Sequence, residues 1–149
     1  MPAFVAGPSG GPLDGLFVGL ISGTSADGID AALVRFQSSE SSGAPARVEL
    51  VHGRTYAWDE ALRARLVALG QGSDAQSLDE LGTLDVQIAE AFANATRRLL
   101  EEAGVPAAEV RGIGSHGQTV RHRPDGARFD GRHPFTWQMG DGALIAGPT

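Results

Sequence analysis

Apolar residues fall along this chain in two rhythms, and the change of rhythm marks out its elements. Leu16 to Ile21 is a short apolar run that enters a turn made of Ser22, Gly23, Thr24, Ser25, Asp27 and Gly28; a second run, Ile29 to Phe36, leaves it. This pattern predicts a buried strand, a tight loop of small residues and a second strand. Val48 to Trp58 carries β-branched and aromatic residues and predicts a third strand. Asp59 is placed to cap a short helix with Leu62, Leu66 and Leu69 on one face, ended by Gly70. Ser77 and Glu80 then form a capping-box pair, after which Leu81, Leu84, Ile88, Phe92, Ala95 and Leu99 recur at steps of three and four. Gly104 and Pro106 stop that helix, Val110 to Gly114 and Phe135 to Met139 read as strands, and Asp141 to Ala146 reads as the first turns of a helix. Strands, then a long helix, then strands predict an α/β fold with a mixed sheet and flanking helices.

Composition narrows this picture. With 149 residues, 42% of them hydrophobic and 20% charged, the chain has enough apolar content to build a core. Residues 1–15 are Gly- and Pro-rich without a basic segment and a long apolar stretch, so they read as a flexible N-terminal extension, not a secretory signal. Gln37 to Ala46 reads as an exposed Ser/Gly/Pro-rich loop. The apolar runs are too short to span a bilayer. There is no cysteine, which excludes disulfides and thiolate metal sites and makes a cytoplasmic location the expectation. All twelve basic residues are arginine, which excludes a Walker-type lysine, a Schiff base and a lysine base within these residues. A net charge of −6 argues against broad nucleic-acid binding.

Three polar clusters stand at the ends of apolar runs, where α/β folds place binding loops. In the first, Gly23 and Gly28 have the spacing of a P-loop, but Ile29 and Asp30 stand where Lys and Ser/Thr are required, so it is not a Walker motif. Its small residues can bring backbone N–H groups and the Thr24 and Ser25 hydroxyls against a phosphate, and Asp27 and Asp30 can hold magnesium. The same residues also suit a plain Asp-Gly turn. The second cluster, Gly114 to Pro124, offers Ser115, His116, Gln118 and Thr119 to sugar hydroxyls, and Arg121 and Arg123 to an anion. A solvated polar loop with an Arg-His-Arg face is the plainer alternative. The cluster is no lipase elbow, because Ile113 stands where the glycine belongs. His116, His122 and His133 offer nitrogen ligands for zinc, but their spacing matches no metal motif. In the third, Gln138 to Gly142, Asp141 is either a helix cap or a ligand contact.

Taken together and in order, Gly19 to Asp30, Ser115 to Pro124, and Thr136 to Asp141 leading into Ala143 to Ala146 resemble the anhydro-N-acetylmuramic acid kinase family. The resemblance implies the N-terminal part of an actin-like (ribonuclease H-like) ATPase fold, the superfamily of actin and hexokinase. It implies ATP-dependent hydrolytic phosphorylation of the 1,6-anhydro sugar released in peptidoglycan recycling, giving N-acetylmuramic acid 6-phosphate. Gly23, Thr24, Ser25, Ala26, Asp27, Gly28, Ile29 and Asp30 would then be the ATP phosphate-binding segment, and His116, Gln118 and Thr119 would lie near the sugar. ATP and magnesium are the implied cofactors, the sugar and ATP the partners, and a homodimer is a further expectation for the full-length protein. Ala26 and Ile21 depart from the family pattern by apolar swaps that leave the phosphate contacts alone, and Trp137 and Gly142 depart from it at the third motif. The family's catalytic aspartate lies in an Asp-Phe-Arg segment expected beyond Thr149, and none of Asp27, Asp30 or Asp141 matches it. Residues 16–149 are therefore expected to be the N-terminal lobe of a longer kinase, inactive alone and exposing the apolar face that meets the rest. A non-catalytic binding remnant, or another sugar kinase of the superfamily, is the alternative.

Overall fold

A computed structural model describes residues 14–37, 47–126 and 131–147. The N-terminal extension up to residue 13 and the linking loop over 38–46 lie outside the described residues. Strand β1 (Gly15–Ser22) buries every second residue: Leu16, Val18, Leu20 and Ser22 point inward, while Phe17 and Ile21 face the other side. Strand β2 (Ile29–Gln37) returns antiparallel with Ile29, Ala31 and Leu33 inward, and β3 (Arg47–Tyr56) pairs antiparallel with β2. Helices α1 (Glu60–Gly70) and α2 (Leu78–Ala103) carry the chain to β4 (Val110–Arg123), which runs parallel to β1. Strand β5 (Phe135–Met139) pairs antiparallel with β4, and the short α3 (Gly142–Ala146) follows. The sheet order is β3-β2-β1-β4-β5, so the predicted mixed α/β sheet is present, with five strands among the described residues.

The helix boundaries follow from their caps. The Asp59 carboxylate accepts the Leu62 N–H at 3.0 Å, and the Ser77 hydroxyl accepts the Glu80 N–H at 3.1 Å. The reciprocal half of the capping box is shifted: the Glu80 carboxylate takes the Gln76 N–H and the Arg65 guanidinium of α1. Gly104, at φ 66°, ends α2 with its own N–H on the Glu101 carbonyl and the Val105 N–H on the Leu100 carbonyl, a left-handed cap that only glycine adopts without strain. The predicted stripe of α2 is the core: Leu84, Ile88, Phe92, Ala95 and Leu99 are buried against Leu16, Val18, Leu20 and Leu33, with Leu66 and Leu69 of α1 and Ile145 of α3 alongside.

The Arg65 guanidinium, and after it the Gln76 N–H, hold the Glu80 carboxyl below its usual range. A depressed folded-state pKa contributes stability that is complete above the unfolded value, about 4.3, and is lost as pH falls through the folded value. The urea midpoint of the wild type is therefore expected to fall more steeply than that of Glu80→Gln below about pH 4.3, the two curves converging in acid. Parallel curves from neutral pH to pH 3 would show that the pairing adds nothing.

Strand β4 departs from the sequence reading. It continues through the second polar cluster to Arg123 instead of stopping at Gly114, so residues 115–123 are strand and not loop. Their polar character hides the period of two, and the strand is completed by pairing with β1 on one side and β5 on the other. The helices pack on the Leu16–Val18–Leu20 face. The opposite face carries Phe17, Val34, Phe36, Val48 and Leu50 in cross-strand register, with Val48 56% and Leu50 65% exposed. Among the described residues no helix is long and apolar enough to cross a membrane.

Candidate functional site

The loop between β1 and β2 is held from three directions. Its first carbonyl, that of Gly23, accepts the Ala26 N–H at 3.0 Å and so closes a turn over 23–26. Ala26 sits at φ 49°, a left-handed conformation that costs a non-glycine residue about 1–2 kcal/mol. The surroundings keep it there: its methyl is fully buried, and its carbonyl accepts the Arg63 Nε–H from α1 at 2.8 Å. Gly28 is required by closeness, since a Cβ there would lie 2.4 Å from the Thr55 Cγ2 and 3.1 Å from the Tyr56 carbonyl oxygen. Below the loop, the buried Trp58 indole N–H donates to the Ser22 hydroxyl at 3.2 Å.

A β-bulge brings the second motif to the first. Ser115 pairs with Leu20 and Gln118 with Ser22, so β4 spends one residue more than β1 between these points. Simple alternation would turn Gln118 to the outer face; the extra residue turns it inward beside buried Ser22. Gly117 makes the bulge, at φ 71° and with room for a Cβ denied by the Met139 carbonyl oxygen 2.5 Å away. Gln118 is fully buried, and its Nε2 donates to the Gly23 carbonyl at 3.0 Å and to the Thr119 carbonyl at 3.1 Å. Two motifs far apart in sequence thus meet through one side chain.

The predicted site residues divide into three settings. Gly23, Thr24, Ser25 and Asp27 form the exposed rim of the loop, whereas the side chains of Ala26 and Ile29 are core. Asp27 is ion-paired to Arg63 at 3.3 Å, and its carboxyl is held below the usual value chiefly by the Ser25 hydroxyl, with burial opposing and Arg63 adding to the lowering. Asp30 faces the outer side of the sheet and accepts the Thr55 hydroxyl at 2.5 Å. There it lines, with Ile21, Thr55 and the exposed His116, an open cleft of about 950 Å³ floored by Gly19, Gly53 and Gly114. Thr119 is nearly buried and accepts the Gln138 Nε2–H at 3.2 Å. His116 and Gln118 therefore look to opposite faces of the sheet.

In the third motif Asp141 caps α3, accepting the Ala143 and Leu144 N–H groups at 2.7 and 3.2 Å, while the Gly140 N–H is taken by Asp85 of α2 at 2.6 Å. Arg121 donates to the Ser73 carbonyl at 2.6 Å. Among the described residues no three of His, Asp or Glu converge as metal ligands, so His116, His122 and His133 are not assembled into a zinc site. Arg63, Trp58 and Asp85 are the supporting residues that the sequence reading missed. Each acts across a long sequence separation, and no local spacing announces it.

Residues 15–149 match the model of the family described as anhydro-N-acetylmuramic acid kinase. Curated proteins of that name resemble the chain closely. One from Xanthomonas campestris pv. campestris (strain 8004) is 53% identical over 131 residues, covering 88% of this chain and 32% of that protein. One from Xylella fastidiosa (strain Temecula1) is 49% identical over the same length, and one from Saccharophagus degradans (strain 2-40) is 42% identical over 134 residues, covering 90% of this chain and 33% of the relative. The chain spans about a third of the length of the curated relatives it matches.

Proposed function

The chain belongs to the anhydro-N-acetylmuramic acid kinase family, and on that premise we propose that it supplies the phosphate-facing part of a kinase acting on 1,6-anhydro-N-acetylmuramic acid in peptidoglycan recycling. The observation that carries this is the hydrogen bond from Gln118 to Gly23, which joins the phosphate-type loop to the strand of sugar-suited residues. In the proposed reaction water adds its oxygen to C1 of the sugar and gives up one proton, the C1–O6 bond breaks with its electron pair left on O6, and O6 takes the γ-phosphoryl group of ATP, releasing ADP. The work of these residues is positioning and charge neutralisation. The rim from Gly23 to Gly28 receives the phosphates, with the Thr24 hydroxyl as a donor, while the Ser25 hydroxyl is engaged by the Asp27 carboxylate. His116 meets the sugar directly, and Gln118 and Thr119 support that edge from beneath. The order β3-β2-β1-β4-β5, with β1–β2 as a hairpin and β4 parallel to β1, supports the reading of an actin-like lobe.

Magnesium fits the loop at Asp27, whose exposed carboxylate is kept ionised by Ser25 and Arg63; bound there, the ion would supply charge neutralisation on the β- and γ-phosphates. The general base is not assigned to any of the three candidate aspartates. Asp27 is paired with Arg63, Asp30 accepts from Thr55, and Asp141 caps α3. Binding without turnover is accordingly the expected behaviour of these 149 residues alone.

Amide-resolved NMR of the chain titrated with Mg-ATP and then with the anhydro sugar tests the reading. The largest shifts are expected at residues 23–28 for the nucleotide and at 116–119 for the sugar. Shifts confined to other surfaces, or none at millimolar ligand, would overturn it. ATP-dependent formation of the sugar 6-phosphate by the chain alone would overturn the expectation of binding without turnover.

A further inference from the structure

Gln118 is buried among groups that leave it only one orientation. Its two Nε2 hydrogens face two carbonyl oxygens, those of Gly23 and Thr119, so exchanging the amide oxygen and nitrogen would set oxygen against oxygen twice. Its Oε1 is buried with no donor among the described residues, a loss of about 1–3 kcal/mol that the anchoring role must offset. The side chain thus acts on the loop, not on a ligand.

What it does to the loop follows from peptide geometry. In a planar trans peptide the C=O and the following N–H point in opposite directions. The Gly23 carbonyl is drawn inward by the Ala26 N–H and by Gln118, both at 3.0 Å, so the Thr24 N–H in the same plane points away from the core. The Ala26 carbonyl is drawn to Arg63 Nε at 2.8 Å, so the Asp27 N–H in that plane points away from Arg63. Without Gln118 the Gly23 carbonyl keeps only the Ala26 N–H, so the Gly23–Thr24 plane turns more easily about the Gly23 ψ, which no Cβ hinders; without Arg63 the Ala26 carbonyl loses the donor that fixes its plane.

We propose that Gln118 and Arg63 are positioning residues that set these two peptide planes and thereby aim the Thr24 N–H away from the core and the Asp27 N–H away from Arg63. The proposal rests on the reading of residues 23–28 as a phosphate loop and deepens it. It gives the β4 bulge a function, that of turning Gln118 inward, and makes Arg63 of α1 part of the site although it is absent from both motifs.

The test uses the chain, inorganic tripolyphosphate as probe, and the variants Gln118→Met, Arg63→Met and Arg63→Lys. Methionine keeps the length of glutamine without its donors, and lysine keeps the charge of arginine without its planar fork. In the ligand-free protein, Gln118→Met is expected to move or broaden the Thr24 amide resonance and spare that of Asp27, while Arg63→Lys does the reverse. Tripolyphosphate affinity is expected to fall about tenfold for Gln118→Met and for Arg63→Met, the worth of one hydrogen bond, with Arg63→Lys in between. Shifts absent from the loop in the wild type would overturn the phosphate-loop reading itself. Wild-type loop binding that survives unchanged in the variants, or variants that disturb the whole spectrum alike, would overturn the positioning role and leave that reading intact. Because Arg63 is half exposed, its variants carry the test should Gln118→Met fail to fold.

Discussion

Gly117→Ala is expected to lower stability by about 3 kcal/mol and to weaken phosphate binding with it. Two costs add. At φ 71° the alanine must adopt a left-handed conformation, worth about 1–2 kcal/mol. Its Cβ would also stand 2.5 Å from the Met139 carbonyl oxygen, a backbone atom in a paired strand that cannot swing aside, and forcing β5 away adds about 1–3 kcal/mol. The natural control is Gly19→Ala on β1, where an added Cβ meets nothing within 4 Å and the change should stay within about 0.5 kcal/mol. Urea denaturation of both variants measures the difference. The functional consequence is separate from the stability loss: if the bulge relaxes, strand alternation turns Gln118 outward and releases the Gly23 carbonyl. A Gly117→Ala protein as stable as Gly19→Ala, with its loop resonances unmoved, would sink this account of the bulge.

The long amphipathic helix and the β1–β2 pair were legible in the sequence because their apolar periods are unbroken, and the Ser77 and Gly104 caps were legible from single residues. Residues 115–123 were not legible as strand, because a strand built of Ser, His, Gly, Gln and Thr shows no alternation until its partners are known. Gln118 was readable as a polar residue of the site, but its direction was not. That depends on one inserted residue, visible only in the register against β1. Gly28 was read through turn chemistry, and the approach of Thr55 and Tyr56 supplies the physical reason for it. Arg63 lay in an ordinary helical stretch whose outward positions carry no pattern, and its partner Ala26 was identifiable only by a backbone angle.

Trp58 ties this loop to the core, and Trp58→Ala is expected to cost about 3–5 kcal/mol, a large share of the roughly 5–15 kcal/mol that keeps a domain folded. The ring is 7% exposed and packs at 5.8 Å and 56° on the fully buried Phe92 of α2. Its N–H is the donor to Ser22, the residue before Gly23. Trp58→Phe separates the two contributions: it keeps an aromatic ring on Phe92 and loses the hydrogen bond, for an expected loss of about 1–2 kcal/mol. Combined with Ser22→Ala, which removes the stranded hydroxyl, the double variant should recover about 1 kcal/mol relative to additivity. The chain has two tryptophans, and Trp137 is 47% exposed, so a Trp137→Phe background leaves Trp58 as a single buried reporter with blue-shifted emission. In that background, the phosphate binding proposed at residues 23–28 should reach the indole through Ser22 and change its emission, and Ser22→Ala should abolish the change while sparing most of the stability. An emission response that persists in Ser22→Ala would mean that the loop communicates with the core by another route, and the Trp58–Ser22 contact would then be packing alone.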